Sequence, residues 1–169
     1  MTRNFGADYL KTRLHYDPKS GRFRWLFCPD REKRWNTRYA GRTAGTVDKL
    51  YGYVLITLDG KTYRAHRLAW LYMTGEWPPG EVDHRNRKRD ENWWDNLRLA
   101  TSQQQSFNSG VKRSNTLGVV GVKRRGNRYH AEIRVDGRKT YLGSFATKEE
   151  AGAAYAERAK KLRGEFACD

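Results

Sequence analysis

Acidic residues are scarce relative to basic ones in this chain of 169 residues: 19 Asp and Glu face 34 Lys and Arg, a formal net charge of +15. So large a cationic excess argues against a neutral solute as principal partner and points to a polyanion, nucleic acid first. Apolar runs are missing too. No window reaches the ~18 to 20 consecutive apolar residues that a membrane-crossing helix requires, so no membrane partner is expected. The start, from Met1 to Tyr9, lacks a basic-then-apolar leader pattern. The expected location is therefore inside a reducing, cytoplasmic compartment. Two cysteines, Cys28 and Cys168, stand far apart, without the paired spacing of a structural zinc site, and a disulfide framework is not expected. Aromatics are not scarce. They make up 13% of the chain, with six Trp, and so many large apolar rings argue for a folded protein despite the charge. The length suits one domain or two small ones.

The stretch 108–117 (NSGVKRSNTL) is polar and has neither helical nor strand periodicity, as expected of a linker. The boundary is placed at 111–116, giving units 1–110 and 117–169, and both carry a cationic excess, of eight on one side of residue 110 and seven on the other. In the first unit Gly21 to Trp25 alternates aromatic and basic side chains, within what reads as a β-rich extension. Tyr51 to Leu58 reads as a strand that turns at Asp59-Gly60 into a second strand, Lys61 to Arg64. Apolar residues from Ala65 to Met73 recur at near-helical spacing and stop at Gly75. In the second unit Gly121 to Arg125, Arg128 to Val135 and Lys139 to Gly143 read as a three-stranded antiparallel meander, turning at Gly126-Asn127 and Asp136-Gly137. Thr147 and Glu150 form a capping box, and Ala151, Ala154, Tyr155, Ala159 and Leu162 mark one helical stripe that would cover the Ala131, Ile133 and Val135 face. The fold class is α+β, with a small sheet packed on one helix at the C-terminal end.

The chemistry concentrates around Asp83-His84, followed by Asn96-Leu97 and a Gln/Asn-rich tail from Gln103 to Asn108. A neutral imidazole accepts a proton from water near physiological pH. A carboxylate with a side-chain amide oxygen suits a hard divalent cation that neutralises a scissile phosphate. Asn96 is placed to orient His84 by accepting from its Nδ1 proton. Adjacent residues in a regular strand face opposite ways, so Asp83 and His84 can share a site only if the strand ends or kinks there. Between them and Asn96 run Arg85, Arg87, Lys88 and Arg89, readable either as a solvated loop or as a grip on the phosphate backbone. His66 reads as packing or capping rather than DNA contact, Arg67 as a phosphate contact, and Trp93 and Trp94 as packing. His15 and His130 receive no chemistry.

The runs Tyr63 to Trp70, Gly75 to Pro78, Asp83-His84 and Asp95 to Arg98, within residues 8 to 110, resemble the phage-type HNH homing endonucleases. That resemblance implies a ββα-metal fold, Mg²⁺ or Mn²⁺ as cofactor, Asp83 as metal ligand, His84 as general base and Asn96 as its orienting residue. The family's helix Asn falls on Gln105, one methylene longer, with Asn108 on roughly the same face as a substitute ligand. Residues Leu117 to Ala167 resemble the APETALA or ethylene-response-factor type of DNA-binding domain, through Gly121 to Lys123, Ala131 to Arg134, Tyr141 to Phe145 and Leu162 to Ala167. The resemblance places Lys123, Arg125, Tyr129, Glu132, Arg134, Lys139 and Tyr141 on a DNA-binding sheet. Two of the family's Trp positions are Tyr here, so sequence preference does not carry over. Together these imply a site-directed, phage-encoded endonuclease acting on double-stranded DNA as monomer or homodimer. A DNA-binding regulator with a silent nuclease fold is the alternative, and RNA binding by the same face ranks lower.

Overall fold

The computed structural model describes residues 5–108, 111, 115–135 and 137–167, with the side chains of 106–108, 135 and 165 excepted. Two compact units divide at Thr101, the first Met1–Thr101 and the second Ser102–Asp169. The division falls ahead of the expected linker at 111–116, of which residues 112–114 lie outside the described residues.

The first unit begins with α1 (Ala7–Arg13), runs into a hairpin of β1 (Leu14–Asp17) and β2 (Arg22–Trp25), and continues through α2 (Lys33–Tyr39). The expected β-rich extension thus contains two short helices. Neither has a side-chain hydrogen bond at its N-cap, the feature that would have marked a helix start in the sequence. A three-stranded antiparallel sheet follows, ordered β3 (Thr46–Val47), β4 (Val54–Leu58) and β5 (Lys61–Arg64). The β4–β5 turn is at Asp59-Gly60, as expected, and β4 begins three residues later than the apolar run suggested. The helix α3 (Ala65–Thr74) ends on Gly75 in the left-handed region, φ 85°, which glycine adopts without steric cost. A second hairpin closes the unit, β6 (Glu81–His84) against β7 (Leu97–Ala100).

One apolar cluster binds these pieces together. Leu10, Leu14, Tyr16 and Phe23 from the N-terminal elements are buried with Ile56 and Leu58 of β4, Leu68 and Leu71 of α3, Val82 of β6 and Leu97 of β7. At roughly 25 cal/mol per Å² of apolar area removed from water, this shared burial is the main force fixing the second hairpin on the first seventy residues.

The second unit opens with α4 (Ser102–Asn108) and builds an antiparallel sheet ordered β10 (Arg138–Phe145), β9 (Arg128–Val135), β8 (Val122–Arg125). It is crossed by α5 (Lys148–Arg163). Both halves of the Thr147/Glu150 capping box form. Val122, Ala131 and Ile133 of the sheet are buried with Ala151, Tyr155 and Ala159 of α5. Three details differ from expectation, the first being that Leu162 of the expected stripe is exposed. Gly121 precedes β8 instead of starting it, and β10 runs to Phe145 with a bulge between Tyr141 and Gly143. At Gly121, φ is 72° and a Cβ would sit 2.1 Å from the Tyr155 ring, so only glycine lets the chain pass that ring. Of the expected turn at Asp136-Gly137, Asp136 lies outside the described residues.

Candidate active site

β6 ends at His84, and Asp83 and His84 are both still paired in register with β7, against Arg98 and Leu97. Asp83 and His84 are 6% and 3% exposed, and beyond them the chain turns at once, with Arg87 N–H donating to the His84 carbonyl at 3.0 Å. Arg87 occupies the left-handed region, φ 66°, a conformation that costs a side chain other than glycine about 1 kcal/mol or more. The loop from 85 to 96 that follows is braced at its base by Asn96. Its Oδ1 accepts from Asn86 N at 3.0 Å, and its Nδ2 donates to Asn86 Oδ1 at 3.0 Å and to the Glu91 carbonyl at 2.7 Å.

The carboxamide on the His84 ring is Asn92, its Oδ1 lying 3.0 Å from Nε2. Asn92 Nδ2 donates to the Asp90 carbonyl at 3.1 Å, which fixes the amide with its oxygen toward the imidazole. An amide oxygen accepts, so Nε2 carries the proton and Nδ1 is the nitrogen with the lone pair. The orienting role expected of Asn96 thus falls differently: Asn96 holds the loop, Asn92 contacts the ring, and the tautomer is the reverse of that expected. The reason is geometric, since Asn96 spends its amide on Asn86 and Glu91. Burial pulls the His84 pKa below the ordinary imidazole value, opposed by the Asn92 hydrogen bond and the Asp83 charge. Its neutral form is favoured at physiological pH, as a proton acceptor needs.

Asp83 pairs across the hairpin with Arg98. Arg98 Nε and Nη2 both donate to Asp83 Oδ2, at 3.1 and 3.0 Å, with side chains only 5% and 9% exposed. Such a pair offsets the desolvation of both charges and fixes the carboxylate's rotation. His66, in the first turn of α3, sets its ring edge-on to His84 with centres 5.0 Å apart, and Tyr53 lies 5.1 Å from His66. Burial, chiefly, takes the His66 pKa down to about 3. Among the described residues its Nδ1 has no hydrogen-bond partner, and its contacts are those of packing, within the packing-or-capping reading of the sequence. Guanidinium groups of Arg64 and Arg89 lie over Tyr53 at 4.5 and 5.0 Å.

The other expected residues divide. Arg67 is half-buried and donates to the Gly80 carbonyl at 3.0 Å, tying α3 to the start of β6. Arg85, Arg87, Lys88 and Arg89 are all exposed on the loop; Lys88 pairs with Glu91 and Arg89 donates to the Tyr51 carbonyl. Gln105 and Asn108 lie on α4 in the second unit, Gln105 half-buried and the Asn108 side chain outside the described residues. Trp93 and Trp94 are half-buried, and Trp94 packs on Trp70 with ring centres 5.2 Å apart.

On the sheet of the second unit, Lys123, Arg125, Arg134, Lys139 and Tyr141 are exposed. Their register places them with Glu132 on the side away from α5. Glu132 accepts from Lys123 Nζ at 3.2 Å, and this bond holds its carboxyl below the usual range. Tyr129 does not join them. It has the parity of Ala131 and Ile133 and packs against the Val122, Ala131 and Ala151 cluster, so alternation sends its ring toward the helix.

A hard cation asks for oxygen donors, and Asp83 with carboxamide oxygens is a donor set of that kind. Among the described residues no group of three or more His, Cys, Asp and Glu side chains forms a metal cluster.

Sequence reasoning missed Asn92 and Arg98. Arg98 stood in a quoted motif with no role, because its partner is visible only once the hairpin register is known. Asn92 carried no signal beyond lying in the loop. Among the described residues no helix is long and apolar enough to cross a membrane.

In comparison with known proteins, residues 63–107 match the family model described as HNH endonuclease. A protein of Acanthamoeba polyphaga mimivirus named as an uncharacterized HNH endonuclease is 34% identical over 114 residues. The match covers 66% of this chain and 59% of that protein's length.

Proposed function

We propose that the chain is a metal-dependent DNA endonuclease of homing type, phage-encoded and acting in the host cell, with His84 as general base. The observation that carries this reading is the buried His84 imidazole, its Nε2 3.0 Å from Asn92 Oδ1, next in the chain to an Asp83 carboxylate held by Arg98. A divalent cation held through Asp83, as Mg²⁺ or Mn²⁺, would neutralise charge on the scissile phosphate. His84 Nδ1 takes the proton from the attacking water, and Asn92 keeps Nε2–H in place as the ring becomes cationic. Arg98 stops the Asp83 carboxylate from rotating away. Gln105 and Asn108 are the carboxamides proposed as further ligands. The exposed cations from Arg85 to Arg89 hold the phosphate backbone.

Residues 117–169 are proposed as the DNA-recognition domain of the APETALA type, binding double-stranded DNA through Lys123, Arg125, Arg134, Lys139 and Tyr141. A small sheet presenting cations on one face suits a major groove. That module gives residence on DNA and the first unit cuts. One centre cuts one strand, so a monomer nicks.

Supercoiled plasmid incubated with Mg²⁺ or Mn²⁺ tests the reading: wild type should relax it and His84→Ala should not. Binding without cutting in both would instead support a DNA-binding regulator, a reading favoured by the engagement of Asp83 Oδ2 with Arg98.

A further inference from the structure

Apart from the His84 region, the first unit has a groove of about 500 Å³, within the size range of small-molecule sites. Three aromatic rings form one side of it, among polar and aliphatic neighbours. Trp25, at the end of β2, meets Trp35 of α2 edge-on, with ring centres 5.3 Å apart and planes at 83°. Trp35 in turn stacks tilted on Tyr39, one helical turn on, at 5.2 Å. All three rings are half-buried and line the groove, and the Arg38 guanidinium lies over Tyr39 at 5.4 Å.

The charges around these rings select the guest. Aromatic walls beside a carboxylate suit a cation in many proteins, but here that role is taken. The lining acid, Asp59, is ion-paired with Arg31 and accepts from the Tyr9 hydroxyl, and the Arg31 guanidinium lies over the Trp35 ring at 5.7 Å. The helix that supplies Trp35 and Tyr39 also carries exposed Lys33, Arg34 and Arg38. What remains is a surface for a flat, neutral π system attached to anions.

We propose that this groove receives an unpaired base of a DNA strand, seated against Trp35 and Trp25, with its neighbouring phosphates on the cations of α2. Stacked pairs in a duplex hide their faces, so the ligand must be single-stranded or extruded. The proposal rests on the reading that the chain handles DNA and is independent of hydrolysis.

Fluorescence anisotropy on the full chain in EDTA tests it, with a labelled short oligothymidylate and an abasic oligomer of equal length. The thymidylate should bind more tightly than the abasic strand, because phosphates alone cannot stack. Trp35→Ala should weaken thymidylate binding on the order of tenfold, leave abasic binding unchanged, and be rescued in most part by Trp35→Phe. Since Trp35 also supports its neighbours, Thr46→Trp provides a second variant that fills the groove from an exposed edge-strand position, and it should cause the same loss. Equal affinity for the two oligomers, or wild-type thymidylate binding by both Trp35→Ala and Thr46→Trp, overturns the proposal. A change in sedimentation without a change in oligonucleotide affinity overturns it as well, making the groove a protein–protein surface. Absence of plasmid cutting would count against the nuclease reading alone, since EDTA removes hydrolysis from this measurement.

Discussion

Asn92 and His66 meet His84 in different ways, and their substitutions should read out differently. Asn92 holds a proton in place on the ring, so Asn92→Ala should lower the plasmid-nicking rate by about 10- to 100-fold, the range for lost orienting partners, while DNA affinity in EDTA stays unchanged. His66 is buried neutral, with a pKa of about 3 in the fold against an unperturbed value of ~6.5 in the unfolded chain. Between those values the unfolded state binds a proton that the folded state refuses. The stability this contributes is fully present above ~6.5 and falls as pH drops toward 3, at up to about 1.4 kcal/mol per pH unit. Urea denaturation across that interval should show the slope in wild type and a shallower one in His66→Phe, which keeps a ring of similar size against His84 and Tyr53.

At the scale of elements, the β6–β7 hairpin carries a buried ion pair, Asp83 with Arg98. Removing one partner strips the other charge of a compensating contact in a buried place, so Arg98→Ala should cost about 3–5 kcal/mol in chemical denaturation, and Arg98→Lys should recover part of it. In the second unit, Gly121→Ala would force a methyl group into Tyr155 at a left-handed backbone angle. It should destabilise that unit by about 2 kcal/mol or more, seen as a lowered melting temperature with the first unit's transition unmoved. Much of this level was legible in the sequence. The Asp59-Gly60 and Gly126-Asn127 turns, the capping box at Thr147 and the stop at Gly75 all carry local chemistry that fixes the backbone whatever lies around it. The helices α1 and α2 lack such marks and depend on packing. The bulge at Tyr141 follows from register, which spacing alone does not specify, whereas the inward turn of Tyr129 was legible in its parity with Ala131 and Ile133. The Asp83-His84 pair could be read from residue types. Its partners Asn92 and Arg98 could not, because they lie eight and fifteen positions away and meet it only through the folded hairpin.

For the whole molecule, electrostatics and connectivity make separate demands. With a net charge of +15 and cationic surface on both units, DNA affinity should fall steeply with salt, log K declining linearly with log salt at about 0.9 per phosphate neutralised. Lys123→Ala with Arg134→Ala should make that slope shallower by roughly two in a filter-binding or anisotropy titration. Connectivity appears at the β1–β2 turn. The Tyr16 hydroxyl donates to the Asn92 carbonyl at 2.6 Å, and Trp94 N–H donates to the Pro18 carbonyl at 2.8 Å. Gly21 passes so close that a Cβ would lie 2.2 Å from the Trp93 nitrogen. The forty-five residues matched by the HNH family model therefore make poor spare parts: grafted into another protein without the first twenty-five, they would arrive with the 85–96 loop unmoored.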